Sequence, residues 1–376
     1  MCLVSPDDDP DRIVRPGRAD TAIPRARGFR TSRRSTEALL AVVEKFRPDV
    51  AIVHNTAGFL TASVIRALAR TVPTAKHIHD ARVICPRTLS KILPEPAPDG
   101  LPQVCEHRAG SACLATGCLA ADRRGPNDVG PLSEQARETW IRLRSLAAIR
   151  HLPAIFVDSR YMADEAHRNG IPAERTHVLG QISLQEPSGP ALPADRPRIT
   201  AVGRWDEAKG FAPFLEVLLD LARANSFDAN LVGDGPGIDA GRSQVRAAGL
   251  ENRIHIRGKL DHRAMETIYR ETDVVAMPTC VPESFGIVGL EAHAHGLPVV
   301  AFGIGGVNDW LIDGETGISI PLGDWEAFGA AIEQLCVDPD KRKTLGASGR
   351  QRRTEKYGTE AHLDRLLSLL SNLVAS

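Results

Sequence analysis

The sequence predicts an α/β fold of two domains, each a parallel sheet covered by helices on both faces. Three observations carry the prediction. A chain of 376 residues exceeds one ordinary hydrophobic core. Short apolar runs alternate with segments of helical period along most of its length. A proline cluster (Pro187, Pro190, Pro193 and Pro197) interrupts that alternation near the middle and marks a linker.

The elements follow in order. Residues 1–35 hold eight arginines between Arg12 and Arg34, with prolines and aspartates and no apolar period. The stretch reads as an irregular, solvated segment, or as a basic surface for an anionic acceptor or a membrane. Residues 36–46 place Leu39, Leu40, Val43 and Phe46 on one helical face. Strands are expected at 49–54, 75–79, 154–158 and 176–179, and helices at 60–69, 132–150 and 162–169. Residues 86–128 are rich in Pro, Gly and Cys and read as irregular. After the linker, strands are expected at 199–202, 229–232, 253–256, 274–277, 299–301 and 318–320. Helices are expected at 211–224, 262–271, 285–294 and 325–336. A last helix over 362–374 carries Leu363, Leu366, Leu367, Leu370 and Val374 at helical spacing. The domains are therefore drawn as an Arg-rich segment 1–35, a first domain 36–190, a second domain 191–350 and a C-terminal helix within 351–376.

Composition excludes several classes. The hydrophobic fraction of 43% and charged fraction of 25% are those of a soluble globular chain. A formal net charge of −1 gives no bulk attraction for nucleic acid. No run of 18 apolar residues is present. The first ten residues lack the basic and apolar stretches of a signal peptide, so the cytosol is the expected location, with a peripheral contact at the inner membrane face as a second expectation. Cys85, Cys105, Cys113 and Cys118 cluster with 19, 7 and 4 intervening residues, which fits no standard paired zinc pattern. They read as buried or loop thiols; a structural zinc site, with His107 nearby, is the alternative.

The most informative motif holds two glutamates, Glu283 and Glu291, around a helix start. Gly286, Ile287 and Val288 fall in its first turn, where unpaired N–H groups and a partial positive charge suit an anion such as a diphosphate. Glu291 would lie about two turns in, roughly 8–12 Å along the axis. Carboxylate, anion site, carboxylate matches a ligand with hydroxyls at both ends and a diphosphate in the middle. Arg204 and Lys209 follow an expected strand, in the place where open parallel sheets bind ligands, with charges suited to phosphate. Gly233-Asp234-Gly235-Pro236-Gly237 also follows a strand. It departs from the dinucleotide fingerprint, and tight turns are the expected use of these glycines.

On these residues the second half resembles the donor domain of the retaining glycosyltransferases of family 4, which have the GT-B fold. The resemblance rests on Gly203-Arg204 with Lys209-Gly210, Gly233-Asp234-Gly235, Gly258, Pro278, Glu283 through Glu291, Gly296-Leu297-Pro298-Val299-Val300, and Gly305-Gly306 with Asp313-Gly314 and Gly317. It implies two Rossmann-like domains with parallel sheets facing a cleft. It also implies that Arg204 and Lys209 hold the diphosphate, Glu283 the donor sugar and Glu291 the ribose, with the backbone around Gly258 and Leu260 at the base. In the first half, His77-Ile78-His79-Asp80 with Cys85-Pro86-Arg87 is similar to the family's strand-end His-Asp and downstream Cys-Pro segment. This implies that His79 faces the reacting sugar; His54, His77, His293 and His295 read as structural.

The implied reaction moves a sugar from a nucleotide sugar to a hydroxyl of a glycan, a lipid-linked or a small-molecule acceptor, with retention at the anomeric carbon. Cationic side chains and helix N-termini would serve at the diphosphate, so no metal or other cofactor is expected. One departure from the family is that residues 1–35 show no strand followed by a Gly-Gly loop, so the first domain is expected to be incomplete. Two rivals follow: a nucleotide-sugar-binding protein impaired in catalysis, and a nicotinamide-dependent oxidoreductase built on the Gly233–Gly237 run. The oxidoreductase lacks the acidic residue expected about twenty positions later.

Overall fold

Strands form where β-branched and aromatic residues run together, as in Val274-Val275-Ala276-Met277, Val299-Val300-Ala301-Phe302 and Ala154-Ile155-Phe156-Val157. All twelve of these residues are buried, the pattern of parallel strands covered on both faces. The structure is a computed structural model and describes residues 2–6, 19–23, 32–54, 62–85, 90–98, 100–116, 118, 140, 143–183, 187–192 and 194–375. The chain divides into two units. The first comprises Met1–Pro94, Cys105–Leu179 and Arg365–Ser376; the second comprises Glu95–Val104 and Gly180–Asp364.

The first unit holds a four-stranded parallel sheet in the order β3-β4-β5-β6, formed by Ala51–Val53, Thr74–Ile78, Ala154–Val157 and Thr176–Val178. Register pairs Val53 with Lys76 and Ile78 with Val157. The helices Ala62–Ala69 and Arg160–Arg168 supply Ile65, Met162, Ala163 and Ala166 to a cluster with Ile78, Ile155 and Val157. Ser159 caps the second of these helices, its Oγ accepting from Met162 N–H at 3.2 Å. The other sheet face carries Ala75, Ala154, Phe156 and Leu179, packed with Leu366, Leu369, Leu370 and Leu373 of the last helix, Thr359–Ala375.

The irregular reading of residues 1–35 needs correction. Cys2–Pro6 (β1) and Ala19–Ile23 (β2) are strands that pair in parallel from Cys2↔Ala19 to Pro6↔Ile23, and a helix begins at Ser32. A reading dominated by arginine and proline overlooks short strands of mixed composition, Cys2-Leu3-Val4-Ser5-Pro6 and Ala19-Asp20-Thr21-Ala22-Ile23, which are long enough to pair. Pro6 stands at a strand end, where its missing N–H is tolerated. Of the helix expected over 132–150, residues 140 and 143–150 are described; 140 and 143–149 are helical and Arg150 is a turn; the rest lies outside the described residues, as do Pro86 and Arg87.

The second unit holds a six-stranded parallel sheet in the order β12-β11-β10-β7-β8-β9. Its strands are Arg198–Val202 (β7), Asp228–Val232 (β8), Ile254–Arg257 (β9), Val274–Met277 (β10), Val299–Phe302 (β11) and Gly317–Ile320 (β12). From β7 the chain proceeds to one side through β8 and β9, then returns to the other side with β10. This reversal puts a topological switch point between β7 and β10, where such sheets take ligands at their carboxyl edge. Phe214, Leu215 and Leu218 of the helix Phe211–Ala224 pack on this sheet with Phe328, Ile332 and Leu335 of Trp325–Val337. Two helices are absent from the sequence reading, Ile238–Ala247 and Pro339–Tyr357.

Candidate functional site

At the switch point, β7 and β10 each end in a loop, and the two loops touch. Cys280 N–H donates to Ala208 O at 2.9 Å. Gly210 has φ +65, and a Cβ there would stand 2.1 Å from Pro278 O, so only glycine permits this approach. Asp206 closes the β7 loop, accepting from Lys209 N–H at 3.1 Å and lying 3.0 Å from Arg204 Nη2. The turn aims Lys209 across the gap, where its Nζ donates to Glu283 Oε1. Thr279 Oγ1 donates to the same oxygen at 3.1 Å, and Glu283 O accepts from Gly306 N–H at 2.8 Å. Both charged groups are three-quarters or more shielded from water, Lys209 at 24% and Glu283 at 18% exposure, whereas Arg204 is 64% exposed.

Just beyond Glu283, Gly286 (φ 90, ψ 64) turns the chain into the helix Ile287–Ala294. No side chain caps this helix start. Glu291 lies one turn inside, and its Oε2 accepts from Tyr269 OH at 2.7 Å. Burial pushes the Glu291 carboxyl above its ordinary range, and the Tyr269 hydroxyl partly offsets that. Tyr269 is fully buried and stacks on His295 with ring centroids 4.9 Å apart. His295 Nε2 meets Glu266 Oε2 at 2.7 Å. Burial alone would raise the Glu266 carboxyl; bonds from Ser188 N–H, His295 and Ser188 Oγ outweigh it and hold the group low. The carboxylate of Glu291 is thus positioned by a relay of four side chains from Ser188 inward.

Gly258 and Leu260 lie between β9 and the helix His262–Glu271, whose N-cap Asp261 accepts from Ala264 N–H at 2.8 Å. A Cβ at Gly258 would meet open space, so packing does not require glycine there. The Gly233–Gly237 run is explained by packing instead. A Cβ at Gly233 (φ +143) would lie 1.7 Å from Gly203 O, and one at Gly235 would lie 2.7 Å from Trp205 O. These glycines let the β7 and β8 loops meet.

Of the residues singled out in the sequence, Lys209, Glu283, Gly286, Ile287, Val288 and Glu291 gather on neighbouring loops and one helix of the second unit. Arg204 turns to Asp206 rather than to Glu283. His79 belongs to the first unit, where it has companions that the sequence reading set aside. His54 follows β3, His77 is the penultimate residue of β4, His79 follows β4, and Asp158 follows β5. His54 Nδ1 and His79 Nε2 are 2.9 Å apart, and His77 Nε2 lies 2.8 Å from Asp158 Oδ1. Burial alone would raise the Asp158 carboxyl, but bonds from His77 and His79 more than offset it and hold it below its usual range. Burial also pushes the Lys76 ammonium down to about 7, its Nζ donating to His54 O at 2.6 Å and His77 O at 2.8 Å. The signal available in the sequence was position: His54, His79 and Asp158 each come directly after a strand. The four cysteines Cys85, Cys105, Cys113 and Cys118 are free and buried.

Both halves match known families. A family model described as glycosyl transferases group 1 matches residues 185–352, and one described as a glycosyl transferase 4-like domain matches residues 1–181. The alpha-D-kanosaminyltransferase of Streptomyces kanamyceticus is 29% identical over 237 residues, 59% of this chain and 61% of that protein. The chain thus matches less than two thirds of that relative's length. Among solved structures, the sucrose-phosphate synthase of Thermosynechococcus elongatus superposes with a TM-score of 0.68 at 22% identity, covering 99% of this chain and 88% of the other. Anabaena HepE in complex with UDP gives a TM-score of 0.64 at 16% identity, covering 94% and 86%. These likenesses establish the fold, two parallel-sheet units of the GT-B type.

Proposed function

We propose, for a chain whose two halves match glycosyltransferase family models and whose fold is GT-B, that it moves a sugar from a nucleotide sugar to an acceptor hydroxyl with retention of anomeric configuration. The observation that carries the proposal is the sequence of groups at the switch point of the second unit. The Lys209–Glu283 pair is followed by the uncapped helix start at Gly286–Val288, and then by the shielded Glu291 one turn further. In this reading, Lys209 and Arg204 neutralise the donor diphosphate, which also accepts from the backbone N–H groups of the helix start. Glu291 accepts from the ribose hydroxyls, Glu283 from hydroxyls of the transferred sugar, and the backbone at Gly258 and Leu260 meets the base. His79, carried over by resemblance, is assigned to the sugar.

The chemistry then balances without a protein nucleophile. The acceptor oxygen attacks the anomeric carbon on the face that the diphosphate leaves, the carbon–oxygen bond to phosphate breaks, and the acceptor proton passes to the departing phosphate oxygen. Lys209 and Arg204 stabilise the charge that develops on the leaving group, where electrostatic stabilisation is largest. Before donor binds, the Lys209–Glu283 pair holds both side chains near their working positions, which lowers the entropy cost of ordering them.

Titration calorimetry with a panel of nucleoside diphosphates tests the donor site. Glu291→Ala is expected to weaken the nucleotide that binds by about 10–100-fold, the loss of a charged hydrogen bond worth ~1.5–3 kcal/mol. Unchanged affinity would remove the ribose assignment, and no binding by the parent chain would remove the donor reading. The anomeric configuration of a transferred sugar, read by NMR, tests retention.

A further inference from the structure

The three histidines at the carboxyl edge of the first unit's sheet have the form of a coordination site. Register brings them together. Val53 pairs with Lys76, so His54 and His77 end up side by side; Ile78 pairs with Val157, so His79 neighbours Asp158. Ring centroids lie 4.0 Å apart for His77 and His79, 5.2 Å for His54 and His79, and 5.4 Å for His54 and His77. One nitrogen from each ring lies within 4.8 Å of the other two. Imidazole pairs on a tetrahedral ion, with metal–nitrogen bonds of about 2.0–2.1 Å, stand roughly 3.4 Å apart. The 2.9 Å contact between His54 Nδ1 and His79 Nε2 would open by about half an ångström to admit an ion.

A metal-binding histidine commonly gives its second ring nitrogen to a carboxylate, which fixes its orientation and raises its basicity. Asp158 has that relation to two of the three rings: Oδ1 is 2.8 Å from His77 Nε2 and Oδ2 is 3.4 Å from His79 Nδ1. Its carboxylate is fully buried. Lys76 Nζ beside the rings is directed to the backbone carbonyls of His54 and His77 rather than to a ring. His54 is exposed and His79 partly so, which gives an ion a route in and leaves coordination positions open to water or a ligand oxygen.

We infer that His54, His77 and His79 form a site for one divalent transition-metal ion of the zinc or cobalt class, with Asp158 as its outer carboxylate. Binding displaces the proton shared between His54 Nδ1 and His79 Nε2, and the ring that donated it regains a proton from solvent on its other nitrogen, so both bind as neutral imidazoles. One residue of the site, His79, is shared with the proposed function; His54, His77 and Asp158 have no part in that reading, and the groups assigned to the diphosphate and ribose belong to the second unit.

The test is a titration of the untagged, chelator-treated full chain with Co²⁺, followed by visible absorption and by equilibrium dialysis with elemental analysis. One equivalent is expected, with d–d bands of a nitrogen-rich site and no thiolate charge-transfer band. His54→Ala, at an exposed position, should keep the fold by circular dichroism and lose the bands. Asp158→Asn should weaken the ion about 10–100-fold. The inference is overturned if the parent chain retains no ion, if His54→Ala and His79→Ala bind as the parent does, or if the bands are those of thiolate ligation by the cysteines. Calorimetry with nucleoside diphosphates on the same samples keeps failure here separate from failure of the donor reading.

Discussion

Gly289→Ala sets helix propensity against packing, and the two predict opposite signs. Gly289 lies within Ile287–Ala294, the helix that begins at the candidate diphosphate site. On an exposed helix the substitution stabilises by about 0.8–1.0 kcal/mol. Here the new Cβ would stand 2.0 Å from Trp310 Cη2, 2.3 Å from Cζ2 and 2.5 Å from Cζ3. Carbon atoms in contact prefer about 3.5–4.0 Å, so the indole must retreat by more than an ångström. Trp310 is fully buried, and its Nε1–H donates to Phe285 O at 2.7 Å. Overpacking costs about 1–3 kcal/mol, and stranding the buried N–H adds about 1–3 kcal/mol. Net of the propensity gain, destabilisation should reach at least about 1 kcal/mol, or a fall in Tm of roughly 2–4 °C per kcal/mol for a unit of this size. Urea and thermal unfolding followed by tryptophan fluorescence measure this. A Trp310→Leu background should relieve most of the cost through coupling between contacting residues. A Gly289→Ala chain as stable as the parent, or more so, would refute the packing argument.

Other outcomes follow from the same unit. Burial, with repulsion from Arg352, holds the His293 imidazole down to about 4 against the bond to Thr316 O, and its Nδ1 has no hydrogen-bond partner among the described residues. A folded-state value below the unfolded one gives stability that is complete above pH ~6.5 and lost as pH falls towards 4, on the order of 2–4 kcal/mol. His293→Gln should flatten the pH dependence of the urea midpoint across that window; an unaltered slope would contradict it. Lys209→Ala and Arg204→Ala should each reduce sugar transfer by about 10²–10³ with little effect on Tm, and wild-type turnover in both would end their assignment to the leaving group.

Legibility in the sequence followed apolar pattern. The continuous runs of β10 and β11 and the stripe of Phe211–Ala224 announce their elements because burial dictates their composition. Pro339–Tyr357 announced nothing, since its buried residues, Leu345, Gly346, Gly349 and Arg353, include only one large apolar side chain. Gly346 approaches Gly296 O and Gly349 approaches the His293 ring, where a Cβ would come within 1.9 Å and 2.6 Å. Close approach through glycine leaves no hydrophobic period to read. The motif around Glu283 and Glu291 was legible because its groups are local in the chain. The group of His54, His77, His79 and Asp158 was not, because 104 residues separate its ends and only strand register joins them. Tyr269, which holds Glu291, was hidden for the same reason, reaching it from the preceding helix.

The return of the last helix to the first unit has a consequence for synthesis. Leu366, Leu369, Leu370 and Leu373 complete the face formed by Ala75, Ala154, Phe156 and Leu179, yet they leave the ribosome after the whole of the second unit. The first unit therefore waits with that face uncovered while the second unit, Glu95–Val104 with Gly180–Asp364, emerges whole. A chaperone that shields apolar surface would find its target there until that helix emerges. Fusion partners or truncations at the C-terminus should thus act on the folding yield of the N-terminal half.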